Sequence, residues 1–146
     1  MQEESLQMRR QLGDKQGMAT VLSNLGFCAL LQNDYAVARS ALTEGLRLCR
    51  ELNNLRGTPY ALEYMAMLTA AEGRPEPAAQ LYGAACGLRE RFDMSLSPTE
   101  SRSMQETHAA AAEQTGQETF DMLFARGRAL TLEQAVDFAL TIYPEH

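Results

Sequence analysis

The sequence predicts an all-α fold: stacked helical hairpins closed at the C-terminal end by a helical cap. Three observations predict it. Slid by 40 positions without a gap, the chain matches itself, with Gly17 on Gly57, Leu6 on Leu46, Leu12 on Leu52, Leu22 on Leu62, Leu25 on Met65 and Ala38 on Ala78. A fixed period in this range marks supersecondary units that cannot bury their apolar face alone and must stack. Apolar residues recur at i, i+3, i+4 and i+7, the spacing of one buried helical face. Finally, the chain is rich in Ala and Leu, has no Trp and only five Pro among 146 residues, and shows no segment of confident strand alternation.

Element by element, Leu6, Met8 and Leu12 carry a first helical stripe that ends at Gly13-Asp14. The next helix begins near Lys15 and carries Met18, Val21, Leu22, Leu25, Gly26, Ala29 and Leu30. Asn33-Asp34 stops it, since both side chains favour local bonds and turns. Ala38, Leu42, Leu46 and Cys49 define a third helix. After Asn53-Asn54-Leu55-Arg56-Gly57 the pair repeats, with helices over 58–72 and 76–92. Pro59 sits in a first turn, where no intrahelical donor is lost. The 40-residue period is expected to stop at Phe92. Ser97-Pro98-Thr99-Glu100 then reads as a capping box with Pro at the first helical position. That helix ends at Gly116, and another carries Phe120, Met122, Leu123 and Phe124 to Gly127. Thr131-Leu132-Glu133-Gln134 opens the last by the same capping logic. The expected division is 1–92 for the repeats, the first of them truncated, and 93–146 for a cap packed on the array.

Charge and cysteine usage exclude several classes. The 19 acidic against 13 basic residues leave a net charge of -6, which repels phosphate backbones, so direct nucleic-acid binding by this segment is not expected. No run approaches the ~18 apolar residues that cross a bilayer, and the acidic opening Met1-Gln2-Glu3-Glu4-Ser5 lacks the order of a signal peptide. Three scattered cysteines, Cys28, Cys49 and Cys86, argue against a disulfide framework and for a reducing cytoplasm. They match no metal spacing and read as small buried hydrophobes.

Nor does an active centre emerge. His108 and His146 are the only histidines. His108 lies in a polar-faced, Ala-rich stretch without an orienting acid or Cys, and reads as a solvated helix residue. No phosphate-cradling Gly-rich run is present. Arg47, Arg50, Arg56 and the Arg89-Glu90-Arg91 run are interleaved with acids and read as solvated faces. No catalytic residue, metal ligand or cofactor is therefore expected.

The order of small and large residues is more specific. It runs Leu22, Leu25, Gly26, Ala29, Ala38, Leu42, Gly45 in one unit and Leu62, Met65, Ala66, Thr69, Ala78, Tyr82, Ala85 in the next. This order resembles the tetratricopeptide repeat (TPR), with a period longer than the usual ~34, no aromatic at Ala29 and Thr69, and no Pro closing the unit. The segments from Gly73 to Ala85 and from Arg126 to Ala135 look like the last repeat and closing segment of large bacterial regulators. Those join an ATPase module to a helical repeat array and end there or in a LuxR-type helix-turn-helix. The resemblance implies a right-handed TPR-like solenoid cut from a longer regulator, without the parent's nucleotide- or DNA-binding activity.

By the same resemblance, the first helix of each hairpin lines a concave groove. Thr20, Ser23, Asn24, Phe27 and Leu31 would face it from one repeat, and Tyr60, Glu63, Tyr64, Met67 and Ala71 from the next. Phe27, Tyr60, Tyr64 and Met67 are the candidate anchors for a partner, unless the cap covers them. The groove lacks the Lys, Arg and Asn cluster with which co-chaperone repeats grip a peptide carboxylate. The expected function is a non-enzymatic regulatory scaffold that binds a peptide, a helix or another domain of its parent chain. An inducer-sensing domain is the alternative. Leu6, Met8 and Leu12, lacking a hairpin mate, offer an edge for a second copy.

Overall fold

The protein is described here by a computed structural model covering residues 15–143; the stripe Leu6, Met8 and Leu12, and the edge expected there, lie outside the described residues. These residues form α-helices throughout, with no strand among them. In chain order they are α1 (Lys15–Leu31), α2 (Tyr35–Leu52), α3 (Gly57–Ala71), α4 (Pro75–Arg91), α5 (Pro98–Thr115), α6 (Gln117–Arg128) and α7 (Leu132–Ile142). Among the described residues, no helix is long and apolar enough to cross a membrane.

Helices α1 and α2 pack closely as one hairpin, and α3 and α4 as another. Their turns repeat with the sequence. Asn33 and Gly73 both take left-handed backbone, with φ of 61° and 82°, and so do Asn53 and Asp93, each at 54°. Helices commonly end this way because a left-handed residue turns the chain while the last carbonyls still receive donors. Asp34 N donates to Ala29 O at 2.8 Å, and Arg74 N to Thr69 O at 3.0 Å. Asn54 N donates to Cys49 O at 2.8 Å, and Met94 N to Arg89 O at 2.9 Å. Two segments that match in sequence thus close with the same backbone bonds.

Small residues set the approach of the helices. A Cβ on Gly26 would lie 2.5 Å from Leu42 Cγ, so α1 and α2 meet there because Gly26 has none. Leu42, Leu46, Leu62, Met65, Leu68, Leu81 and Leu88 are fully buried, and one continuous core runs from Ala29 to Tyr143. Burial of each such side chain contributes roughly 1.5–3 kcal/mol before conformational entropy is set against it.

The spacing of helix starts runs on past Phe92, where the sequence match is expected to stop. Helix α5 starts at Pro98 and α6 at Gln117, close to one period after α3 and α4, so helix placement continues once more. What stops is the hairpin. Helices α5 and α6 touch little, and α6 lies instead along α4, one of the most extensive contacts in the molecule. Glycines permit this. A Cβ on Gly83 would stand 2.0 Å from the Phe124 carbonyl oxygen, and one on Gly127 only 1.9 Å from that of Gln80. Arg128 on α6 pairs with Glu90 on α4 at 2.6 Å, an exposed contact that sets register more than stability.

Both expected capping boxes are present. Ser97 accepts from Glu100 N and Thr131 from Gln134 N, each with the reciprocal side-chain bond. Helix α7 packs against α2, α3 and α4. Tyr143, just beyond it, donates to Glu72 at 2.5 Å, lies 3.0 Å from the Thr69 hydroxyl, and receives the Arg39 guanidinium over its ring. Arg39 in turn pairs with Glu72.

Candidate functional site

The α1 and α3 faces singled out by the sequence are hollowed into three cavities. The first, about 230 Å³, lies between α1 and α3 and is lined by Thr20, Ser23, Asn24, Cys49, Tyr60 and Tyr64 among others. The second, about 260 Å³, is roofed by α5: Phe27, Tyr60, Glu63, Tyr64 and Met67 face Thr99, Glu100, Ser103, Met104 and Thr107 across it. A third, about 350 Å³, opens at the helix ends and includes Leu31, Tyr35, Met67 and Ala71 with Ala110 of α5. Each of the nine groove residues expected from sequence, and Ala71 with them, lines one or more of these spaces.

They differ in exposure. Thr20, Asn24 and Leu31 are exposed, Leu31 at 65%, whereas Phe27, Tyr60, Glu63, Tyr64 and Met67 are half-buried and Ser23 is buried. The Phe27 and Tyr64 rings stack at 4.8 Å, joining α1 to α3 across the groove floor. Burial pushes the Tyr64 phenol above its ordinary pKa, with the carboxylate of Glu63 adding to the effect. The cap therefore covers the groove in part: α5 roofs the second cavity, and the first lies between the repeats themselves.

Arg89 contacts two of the residues that line this cavity, Glu63 and Tyr60, without lining it itself, and here the sequence reading is corrected. Arg89 is no solvated face: it is 4% exposed and gives a 2.6 Å bond to Glu63 Oε2, itself largely covered. Its guanidinium carbon lies 5.1 Å from the centre of the Tyr60 ring. A buried ion pair of this kind costs desolvation that its Coulomb attraction roughly offsets. The stacking on Tyr60 adds an attraction that strengthens where water is excluded.

His108 is the second correction. Its ring packs against Tyr82 at 4.5 Å, Phe124 at 5.4 Å and Phe120 at 6.1 Å, in an aromatic cage between α4, α5 and α6. Burial lowers its pKa to about 4, with Arg89 a smaller cause in the same direction. The same burial pushes the Tyr82 phenol up to about 12. His108 thus acts here as an aromatic packing group. Among the cysteines, Cys49 is buried as expected and its thiol pKa is raised by burial, whereas Cys86 is half-buried and Cys28 is exposed, against expectation. Among the described residues no His, Cys, Asp and Glu group is placed to hold a metal ion.

Arg89 and the α5 residues facing the groove were missed by sequence reasoning. For Arg89 a signal existed: it stands one period after the core residue Cys49, so the repeat placed it inward. For Thr99, Glu100, Ser103, Met104 and Thr107 none did, because they reach the cavity from a helix distant in sequence that packs on α4 and α6.

Comparison with known proteins gives a narrow result. No family profile matches the chain, and no solved structure does. Three curated proteins named as candidate HTH-type transcriptional regulators are similar to it, one from Mycobacterium bovis and two from strains of Mycobacterium tuberculosis. Each is 29% identical over 111 residues, which is 76% of this chain and 13% of the relative. The chain thus spans about 13% of the length of the curated relatives it matches.

Proposed function

We propose that this chain is a TPR-like interaction domain of a bacterial, cytoplasmic transcriptional regulator, holding a peptide, a helix or a neighbouring domain of its parent in the α1–α3 groove. The observation that carries it is the groove floor itself. Two half-buried aromatics from successive hairpins stack across a hollow rather than inside the core. Such side chains are the usual anchors of recognition, because they bury large area with few rotatable bonds. The recurring turns 40 residues apart support a stacked-repeat architecture, and the similarity to HTH-type regulators supports the setting. The net charge of -6 fits a segment that leaves DNA contact to another part of the parent. No catalytic role belongs to this reading.

Separately produced segments of the parent polypeptide provide the test. Phe27→Ala or Tyr64→Ala is expected to weaken capture of the binding segment about tenfold, the equivalent of ~1.4 kcal/mol. Loss of the stack should cost folding stability only ~1 kcal/mol. Unchanged capture by both variants would refute the groove.

A second reading has its own observation. Helix α5 supplies half of the lining of the middle cavity, a polar and apolar mix that suits a small inducer. A compound that raises the melting temperature of the chain, with the shift abolished by Tyr64→Ala, would favour it.

A further inference from the structure

The chamber under α5 is lined by charge of one sign. Glu63 and Glu100 are its charged members, and among the described residues that line it none is Lys, Arg or His. Glu63 is largely covered, whereas Glu100 and Ser103 are exposed and mark the open side. The Ser97 backbone donates to Glu100 at 2.9 Å and holds its carboxyl below the ordinary range, so it is ionised at neutral pH. Three rings, Phe27, Tyr60 and Tyr64, and two thioethers, Met67 and Met104, supply the apolar surface.

Arg89 stands behind this lining and does not reverse its sign. It touches Glu63 and Tyr60 and balances one carboxylate of the two. At the Tyr64 phenol, the carboxylates of Glu63 and Glu100 each outweigh its guanidinium. The unmet polar atoms nearby do not reach an occupant. Arg89 Nε and Nη1 and His108 Nε2 are buried without partners, yet neither residue lines any of the three cavities. A neutral imidazole carries an acceptor nitrogen, Arg89 carries donors, and the field of the guanidinium reaches the ring. Those two deficits match each other in kind inside the core and call for no outside ligand.

Rings and carboxylates together suit an organic cation. Ring faces attract a cation at short range, more strongly where water is excluded, and carboxylates attract it at longer range. Phe27 and Tyr64 stack on each other and Tyr60 gives one face to Arg89, which leaves each ring a second face. An anion would meet two carboxylates and no basic group in the lining. A bare metal ion is disfavoured too, since no group of His, Cys, Asp and Glu among the described residues is placed to hold one. At about 260 Å³ the space lies below the range for drug-sized ligands, so the cation is compact.

We propose that the chamber binds a compact organic cation, an alkylated ammonium whose carbons lie against Phe27, Tyr60 and Tyr64 and whose charge is met by Glu63 and Glu100. This rests on the inducer reading above and names the chemistry of the inducer.

The experiment uses the full chain with ¹³C-methyl methionine and reads the Met67 and Met104 resonances, with the probes' own methyl protons. Choline, 3,3-dimethylbutan-1-ol and 3,3-dimethylbutanoate share a shape and differ in charge, and benzyltrimethylammonium adds a ring. Both cations should shift the two methionine methyls saturably, about tenfold more tightly than the alcohol, with the carboxylate weakest. Their N-methyl protons should move upfield, the mark of seating against ring faces. Glu100→Gln keeps a side chain able to complete the capping box and removes the charge. It should weaken the cations about threefold and leave the alcohol unchanged. Phe27→Leu removes a ring but keeps apolar bulk, and should reduce the preference for the cations by a similar factor of about three. Equal binding of choline and the alcohol, tighter binding of the carboxylate, or a preference untouched by both variants would overturn the cation assignment and leave a neutral inducer chamber standing. No methyl response to any of the four probes would overturn the inducer reading with it.

Discussion

The two hairpins share turns, core positions and length, yet differ wherever a neighbour is received. Thr43 and Arg47 on the back of α2 become Gly83 and Gly87 on α4, one period later. Cys49 becomes Arg89, Ser23 becomes Glu63, and Asn24 becomes Tyr64. The first set of differences opens α4 to α6. The second replaces small neutral residues with a buried ion pair and an aromatic ring beside the roofed cavity. A repeat dictates backbone and core, while the departures between its copies mark the surfaces that do something else.

Substitutions that erase these departures should separate the hairpins by energy. Gly83→Ala has the largest expected effect, since its Cβ meets backbone at 2.0 Å and a helix carbonyl cannot move aside as a side chain can. A loss of about 3 kcal/mol or more in urea unfolding is expected. A loss near zero would mean that α6 is not seated on α4. Arg89→Met follows, at about 3 kcal/mol, because it strands Glu63 in a largely buried site. Adding Glu63→Met should restore most of that loss, a coupling that a double-mutant cycle measures directly.

Tyr143→Phe comes next, at about 1 kcal/mol, for the bonds to Glu72 and Thr69. The first hairpin has Gln32 and Ala29 at those positions and no equivalent latch. Gly45→Ala should be smallest, within about 0.5 kcal/mol of wild type. Its Cβ would lie 3.3 Å from Leu22 Cβ, a mild crowding that the gain in helix propensity offsets, and Ala85 already occupies the equivalent position. A loss above 2 kcal/mol there would show the hairpins to be less alike than their turns.

Much of this fold was legible because local rules and the repeat agreed. Asn33-Asp34 and Gly73-Arg74 announced their turns, and Ser97 and Thr131 their caps. The groove residues on α1 and α3 came from the resemblance to the tetratricopeptide repeat, which puts the first helix of each hairpin along the groove. What was not legible depended on tertiary placement. Gly127 read as the end of a helix, and nothing local to Gly83 or Gly87 announces the close approach that appears once α6 is seen against α4. His108 read as solvated because its own helix is polar, and its three aromatic neighbours lie on other helices. Arg89 was misread through its charged neighbours Glu90 and Arg91, although the period set it inward. Charge in sequence reports composition, and burial is decided by the partner helix.

The seating of α5 over the second hairpin is what makes the groove a chamber, and the acid titration of His108 tests it most directly. The cage disfavours the imidazolium, so the unfolded chain binds the proton more readily between its ordinary pKa of 6.5 and the folded value of about 4. Stability from this residue is complete above pH 6.5 and is lost as pH falls toward 4, by about 1 kcal/mol at pH 5 after solvent screening, and His108→Leu should remove that slope. In the folded protein, the His108 Cε1 proton followed by NMR should titrate with a midpoint of about 4. A midpoint at the ordinary 6.5 would place His108 in water, lift α5 off the groove, and contradict the chamber.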